Sequence, residues 1–251
     1  VCSSDLPTEL KNHEKELIKK ANLIFTGGLS LYEAKHRHHD SVFLFPSSVD
    51  SKHFLQARMQ LPEPADQAFI ATPRIGFYGV IDERFDINLL RDLAHARPDW
   101  NFIIVGPIVK IDPSELPYLS NIHYLGQKSY AELPYYLSGW DVAFIPFAIN
   151  DSTKYISPTK TPEYLAGGKA VVSTPIKDIV NTFKDTKSVY IANPNDISSF
   201  IKAIENALIR SKSPNELYKE VDLLLQNMSW EKTFMDMREL ILVAHNNKEV
   251  I

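Results

Sequence analysis

Residues 157–174 read Ser157-Pro158-Thr159-Lys160-Thr161-Pro162-Glu163-Tyr164-Leu165-Ala166-Gly167-Gly168-Lys169-Ala170-Val171-Val172-Ser173-Thr174. This order of residue types predicts a loop, a very short helix, a glycine stop and a buried strand. Thr161 suits the helix cap, Pro162 its first position and Glu163 its first turn. Gly167 and Gly168 end the helix, and Ala170-Val171-Val172 supplies an apolar strand. The open amides at the helix start, with Lys160 just outside, form a setting that suits a phosphate. Glu163 fits such a site if it reaches past the phosphate and accepts hydrogen bonds from sugar hydroxyls. The plainer alternative is that Glu163 offsets the helix dipole and Lys160 is a solvated surface charge. Spacing alone leaves both readings open.

Outward from this stretch, strands and helices alternate about six times. Strands are expected at 74–80, 101–106, 122–126, 141–147, 171–172 and 188–192, with helices at 86–96, 130–138, 176–183 and 197–210. That alternation predicts an α/β fold with a doubly wound, mostly parallel sheet and helices on both faces. Ligands of such sheets sit beyond the carboxyl ends of the strands, where the strand order switches. Gly79, Gly106, Gly126 and the loop after Phe147 all fall at such ends, as does the 157–163 segment.

The flanks are different in kind. An amphipathic helix over 9–21, a strand at 23–26, a helix over 29–38 and a strand at 41–45 are too few to close a core. Residues 1–50 therefore read as the end of a preceding domain, and Val1 in place of methionine suggests a fragment or a processed chain. The proline-bearing stretch 51–73 is expected to be a linker. The sheet domain is expected over 74–228. A last helix, within 229–251, is expected to pack back on the N-terminal segment. Leu223, Leu224, Leu225, Met228, Trp230, Phe234 and Met237 are read as packing residues on the two closing helices. His36, His38 and His39 carry no completing carboxylate or cysteine pattern and read as a solvated helix end.

The whole chain sets outer limits. Its 251 residues are 44% hydrophobic and 23% charged, as in an ordinary globular protein. A net charge of -4 gives no electrostatic reason to expect nucleic acid as a partner. Cys2 is the only cysteine, so no internal disulfide forms. No apolar run approaches a membrane span and no signal-peptide pattern opens the chain, so a cytoplasmic location is expected.

With these residues in view, the chain resembles the retaining, nucleotide-sugar-dependent glycosyltransferases of the GT-B fold, built from two Rossmann-like domains. The resemblance covers about four-fifths of the sequence. It is carried first by Ser157-Pro158-Thr159-Lys160, Glu163-Tyr164-Leu165-Ala166 and Gly168 to Val172. Phe45 to Asp50 before Phe54, Leu125-Gly126 before Glu132-Leu133, and Ala143 to Phe147 add to it. The chain looks closest to a bacterial subgroup found alone or fused to a UDP-galactopyranose mutase-like domain.

The resemblance implies that the chain holds a donor-binding domain and the end of an acceptor domain. Lys160 would serve as the catalytic cation, with Ser157, Pro158, Thr159, Gly79 and Arg84 around the donor diphosphate. Glu163 would bind the ribose, and Gln127 and Lys128 would lie near the base, largely through backbone. Many relatives carry a second glutamate eight positions before the first, where this chain has Tyr155; Asp151 or Asn150 would substitute. The implied reaction is sugar transfer from a UDP- or GDP-linked donor to an unknown acceptor, in bacterial surface polysaccharide or glycoconjugate synthesis. No cofactor or metal is implied, and peripheral membrane association would come only through the acceptor domain. A nucleotide-sugar 2-epimerase of the same fold, or a non-catalytic relic acting as a binding module, are the alternatives.

Overall fold

The computed structural model describes residues 8–157 and 159–246. It opens with α1 (Thr8–Lys20), β1 (Ile24–Thr26), α2 (Leu29–His36) and β2 (Val42–Leu44). β1 and β2 pair in parallel, with Ile24 opposite Val42. His39 turns inward, one ring nitrogen at 3.0 Å from the Ala21 carbonyl and the other accepting from the Ser41 amide. Among the described residues no group of histidine, cysteine and carboxylate side chains is placed to hold a metal ion.

The stretch expected as a linker is folded. Asp50 accepts a hydrogen bond from the His53 amide and starts α3 (Ser51–Leu55), which runs into a 3-10 turn over Gln56–Arg58. Phe54, Ala57 and Ile70 are buried in the core of the main sheet. The prolines at 62, 64 and 73 interrupt helical periodicity without keeping the segment in solvent. Apolar side chains placed between them supply the burial that fixes it.

The main domain then runs β3 (Arg74–Tyr78), α4 (Ile87–Ala96), β4 (Asn101–Val105), β5 (Ile122–Gly126), α5 (Leu133–Ser138) and β6 (Val142–Ile145). It continues with α6 (Lys160–Ala166), β7 (Val171–Ser173), α7 (Lys177–Phe183), β8 (Val189–Ile191), α8 (Ile197–Ser211) and α9 (Pro214–Leu225). Six strands form one sheet in the order β5-β4-β3-β6-β7-β8, every pair parallel. The expected doubly wound sheet is present, and its order reverses between β3 and β6. Helices cover both faces: α4 packs against α8, while α6 packs against α3 and α9. On α4 the Asp86 carboxylate accepts from the Leu89 amide, and Leu89, Leu90, Leu93 and Ala94 form the buried stripe.

Two expectations need correction. Thr161 does not cap α6, because the helix begins at Lys160, two residues before the expected Pro162, with Thr159 at the cap position. Thr161 therefore lies within the first turn, buried, with no hydrogen-bond partner for its hydroxyl. The second correction concerns the last helix, α10 (Trp230–Asn246), which has no buried residue. Trp230 is 51% exposed, Phe234 66% and Leu223 67%, so these three are not packing residues. Leu225 is buried, and Leu224 and Met228 pack against the core as expected. The helix does reach the N-terminal segment. Thr233 bonds Ser48 at 2.7 Å, and Ile241, Ala244 and His245 share a groove with Asn22, Leu23 and Phe25. Trp230, Phe234, Met237, Ile241 and Ala244 recur at helical spacing, yet Trp230, Phe234 and Ile241 stay largely exposed, so the helix is not packed in along that face.

Candidate functional site

The site forms where β3 and β6 diverge. β3 ends at Tyr78 and the chain turns through Gly79, at φ 150°; β4 ends at Val105 and turns through Gly106, at φ 146°. Both angles lie in the region that glycine alone adopts without strain. The two turns touch, since a Cβ on Gly106 would sit 1.8 Å from the Gly79 carbonyl oxygen. A Cβ on Gly79 would sit 2.4 Å from Lys160 Cε and 3.1 Å from its Nζ. The Lys160 stem therefore lies across the bare backbone of Gly79, at the carboxyl end of the central strand.

Helix α6 is fixed to that strand end by two tyrosines. The Tyr78 amide donates to the Tyr164 hydroxyl at 2.9 Å, and that hydroxyl stands 3.3 Å from the Tyr78 carbonyl. The Tyr78 hydroxyl donates to Glu163 Oε2 at 2.8 Å. Lys160 and Glu163, three residues apart on α6, thus face the Gly79 turn together. Burial pushes the Glu163 carboxyl up from its ordinary range, opposed by the Tyr78 hydrogen bond, the Lys160 charge and the nearby Thr159 hydroxyl. Burial also lowers the Lys160 ammonium; Glu163 and Asp82 oppose this and Arg84 adds to it. An anion placed here would relieve the strain on Lys160.

The β3 loop supplies the second cation. Arg84 bonds Asp82 through Nε at 2.9 and 3.1 Å, and its charge is felt at Lys160. Burial pushes the Asp82 carboxyl up, but the Arg84 guanidinium and amide outweigh it and hold it low. Asp82 is thus an anchor that places the arginine. Ser157 lies against the N-terminal segment: a Cβ on Gly28 would meet Ser157 Cβ at 2.9 Å. Just beside it, Asp178 on α7 accepts from the Ser30 amide at the start of α2, at 2.9 Å. Pro158 lies outside the described residues.

The remaining expected residues sit further out. Gln127 is exposed after β5. The Lys128 side chain turns to Asp66, at 2.6 Å, where the Tyr136 hydroxyl also donates, so only its backbone is left for a ligand. Asp151 is exposed in a turn. Asn150 braces that turn, donating to the Glu83 carbonyl at 3.0 Å and accepting from the Thr153 amide at 3.1 Å. Tyr155 is half-buried, with the Lys154 ammonium 5.4 Å from its ring centre. Sequence reasoning missed Tyr78, which sits in an apolar strand and reads there as core. It also missed Tyr130, 53% exposed and stacked on His53 at 4.1 Å.

A cleft of about 1080 Å³ opens along the same carboxyl edge, lined by Asp82, Glu83, Asp86, Ala148, Pro175 and Asn193, among others. Lys160 and Glu163 do not line it; Asp82 does, and its charge also acts on the Lys160 ammonium.

The structure thus brings Lys160 and Glu163 of the 157–174 stretch to the Gly79 turn, at the switch of the doubly wound sheet. Residues 72–210, more than half of the chain, match the family model described as glycosyl transferases group 1. The chain belongs to that family. TuaH of Bacillus subtilis (strain 168), a glycosyltransferase assigned to teichuronic acid biosynthesis, is 30% identical over 150 residues, 59% of this chain and 37% of TuaH. Sucrose-phosphate synthase from Thermosynechococcus elongatus shares the fold at a TM-score of 0.72 and 19% identity, over 98% of this chain and 65% of that one. HepE of Anabaena, solved with UDP and glucose, superposes at a TM-score of 0.74 and 13% identity, over 93% of this chain and 66% of that one. The chain thus spans little more than a third of the curated relative it matches and just under two thirds of these two structures. This group 1 chain carries the Rossmann-like sheet of a GT-B glycosyltransferase, and no helix among its described residues is long and apolar enough to cross a membrane.

Proposed function

We propose that this group 1 chain binds the nucleotide-sugar donor of a glycosyltransferase, and that the whole protein moves the sugar to a glycan acceptor in polysaccharide synthesis. The observation that carries the reading is Lys160 lying across Gly79 while Tyr78 holds Glu163 beside it. The diphosphate of a UDP- or GDP-linked sugar lies along the Gly79 turn and the start of α6, paired with Lys160. Arg84 adds its charge from the β3 loop, and Glu163 accepts hydrogen bonds from the ribose hydroxyls.

In transfer, the bond from the anomeric carbon to the diphosphate breaks and the electron pair leaves with the diphosphate. Lys160 and the loop amides meet that growing charge where it forms, so their pull is greater in the transition state than on the bound donor. No cofactor enters this reading, because the donor is itself a substrate. HepE was solved with UDP and TuaH is assigned to teichuronic acid biosynthesis, which supports a uridine nucleotide and a glycan acceptor. The cytoplasm, where nucleotide sugars are made, is the proposed location.

Calorimetric titration of the chain with UDP and GDP tests the donor site, and binding of one or both is expected. No heat with either, on folded protein, overturns it. Product analysis on the whole protein tests the reaction: a glycoside and free nucleoside diphosphate support transfer, and an epimerised sugar nucleotide overturns it.

A further inference from the structure

The Tyr78 hydroxyl reaches from the main sheet to Glu163, and nothing in the phosphate motif calls for it. Its ring is almost fully buried, with Phe54, Trp140 and Tyr164 at centroid distances of 6.2, 5.8 and 4.7 Å. Its backbone amide is tied to the Tyr164 hydroxyl. Ring and backbone are thus both fixed, so the hydroxyl is a rigid point at the end of β3, one residue before the Gly79 turn. Glu163 by contrast sits in the first turn of a seven-residue helix, on a side chain with three rotatable bonds.

We infer that Tyr78 is a positioning residue for the nucleotide site: its hydroxyl, donated to Glu163 Oε2, aims that carboxylate at the ribose diol of a bound nucleoside diphosphate. The inference rests on the reading of Glu163 as the ribose acceptor. A carboxylate has about four lone-pair positions. Tyr78 takes one and the Thr159 hydroxyl faces the group, which leaves positions for the two hydroxyls of a ribose. Preorganisation of this kind removes the cost of ordering a long acidic side chain when ligand arrives. The same hydrogen bond opposes the burial that favours a protonated Glu163, which could not accept from both hydroxyls. Burial and the neighbouring Glu163 push the Tyr78 phenol well above its ordinary value, so it remains a donor.

A merely structural tyrosine would satisfy its buried hydroxyl on any acceptor, and its loss would not distinguish one ligand from another. Tyr78→Phe keeps the ring and its packing, and thermal melting checks that the fold is retained. The probes are UDP and 2′,3′-dideoxy-UDP (or the GDP pair, if GDP is the nucleotide bound), titrated calorimetrically at pH 5.5 and pH 8. Tyr78→Phe is expected to weaken UDP about tenfold while changing the dideoxy analogue less than about twofold. The loss is expected to be larger at pH 5.5, where Glu163 without its tyrosine protonates more readily. In the Glu163→Gln background the same change should have no further effect on the preference. A full preference for UDP in Tyr78→Phe, with the preference lost in Glu163→Gln, overturns the positioning role and leaves the Glu163 reading standing. A preference that survives Glu163→Gln, or no binding by the wild-type chain, overturns both.

Discussion

Gly106 packs on Gly79 so closely that an added Cβ would come within 1.8 Å of the Gly79 carbonyl oxygen, and Lys160 covers the other side of Gly79. The three form a stack in which neither glycine has room for a side chain, but the obstacles differ. At Gly106 the obstacle is backbone, which cannot move without disturbing the β3–β4 ladder. At Gly79 it is chiefly the far end of a flexible lysine, with the Phe77 ring next at 3.0 Å. Gly106→Ala should therefore cost the more stability, at least the ~1–3 kcal/mol of a disfavoured backbone region plus the clash. Gly79→Ala should cost about the backbone term alone but displace Lys160, so diphosphate binding falls more steeply than stability. Urea unfolding and UDP titration on both variants measure this. Equal losses of binding from the two changes would contradict it.

Lys160→Ala should weaken nucleoside diphosphate binding far more than nucleoside binding, because the proposed site pairs the ammonium with phosphate and leaves the base and ribose alone. The charge-assisted bond is worth roughly 1.5–3 kcal/mol, or about ten- to a hundredfold. Titration with UDP and uridine separates the two, and similar losses for both would remove the phosphate role.

The same lysine gives the binding a pH dependence with a definite sign. Burial lowers its ammonium below the ordinary 10.5, and a bound diphosphate would raise it again. Between those two values binding must take up a proton, so UDP affinity falls as pH rises. The groups facing Lys160 are Glu163 on its own helix and Asp82 and Arg84 from the β3 loop. Lys160→Arg keeps the charge to higher pH and should flatten the decline. Isothermal titrations from pH 7 to 10 check this, and an unchanged slope in the arginine variant would assign the decline elsewhere.

Most of the sheet was legible because its strands are short apolar runs that end near glycine or proline, and most of them are followed by a helical period. The placement of Lys160 and Glu163 was legible for a related reason, since both fall at a helix start. Tyr78 was not. A tyrosine in an apolar strand looks the same whether its hydroxyl points to solvent, to another strand or to a ligand site, and only tertiary contact decides. The 51–73 stretch was misread because a five-residue helix is too short to show a period among prolines, although Phe54 is wholly buried. On α10 the error ran the other way. Trp230 and Phe234 carry the composition of a packing face, but composition does not reveal whether anything lies opposite.

The contact between α2 and α7 should couple the N-terminal segment to the nucleotide loop. Asp178 is almost fully buried, and its carboxylate receives the Ser30 amide beside the Gly28–Ser157 approach. Asp178→Ala leaves that helix-start amide without its acceptor and should lower stability by about 1–2 kcal/mol. Hydrogen exchange is expected to rise at Ser30 and its neighbours while the main sheet keeps its protection. Unchanged exchange over 28–32 would show that the contact holds nothing in place.

The last expectation concerns a lysine outside the site. Lys169 follows the glycine stop of α6 and donates to the Ser138 and Trp140 carbonyls, at 3.0 and 2.8 Å. Burial lowers its pKa from 10.5 to about 8, only partly offset by the charge of Asp141. Between those values the unfolded chain holds a proton that the folded chain has released. Stability contributed by this group therefore rises with pH across that window, by up to roughly 3 kcal/mol, and is flat below pH 8. The neutral amine keeps two hydrogens, so both carbonyls remain satisfied as the charge is lost. Other lysines and tyrosines titrate over the same range, which makes the wild type alone a poor witness. Lys169→Gln removes the titration and retains a donor, so the difference in unfolding free energy between the two proteins isolates the group. Urea unfolding at pH 7.5 and at pH 10 should show the wild type gaining on the variant as pH rises. A difference that stays constant would mean that Lys169 keeps an ordinary affinity for its proton despite its burial.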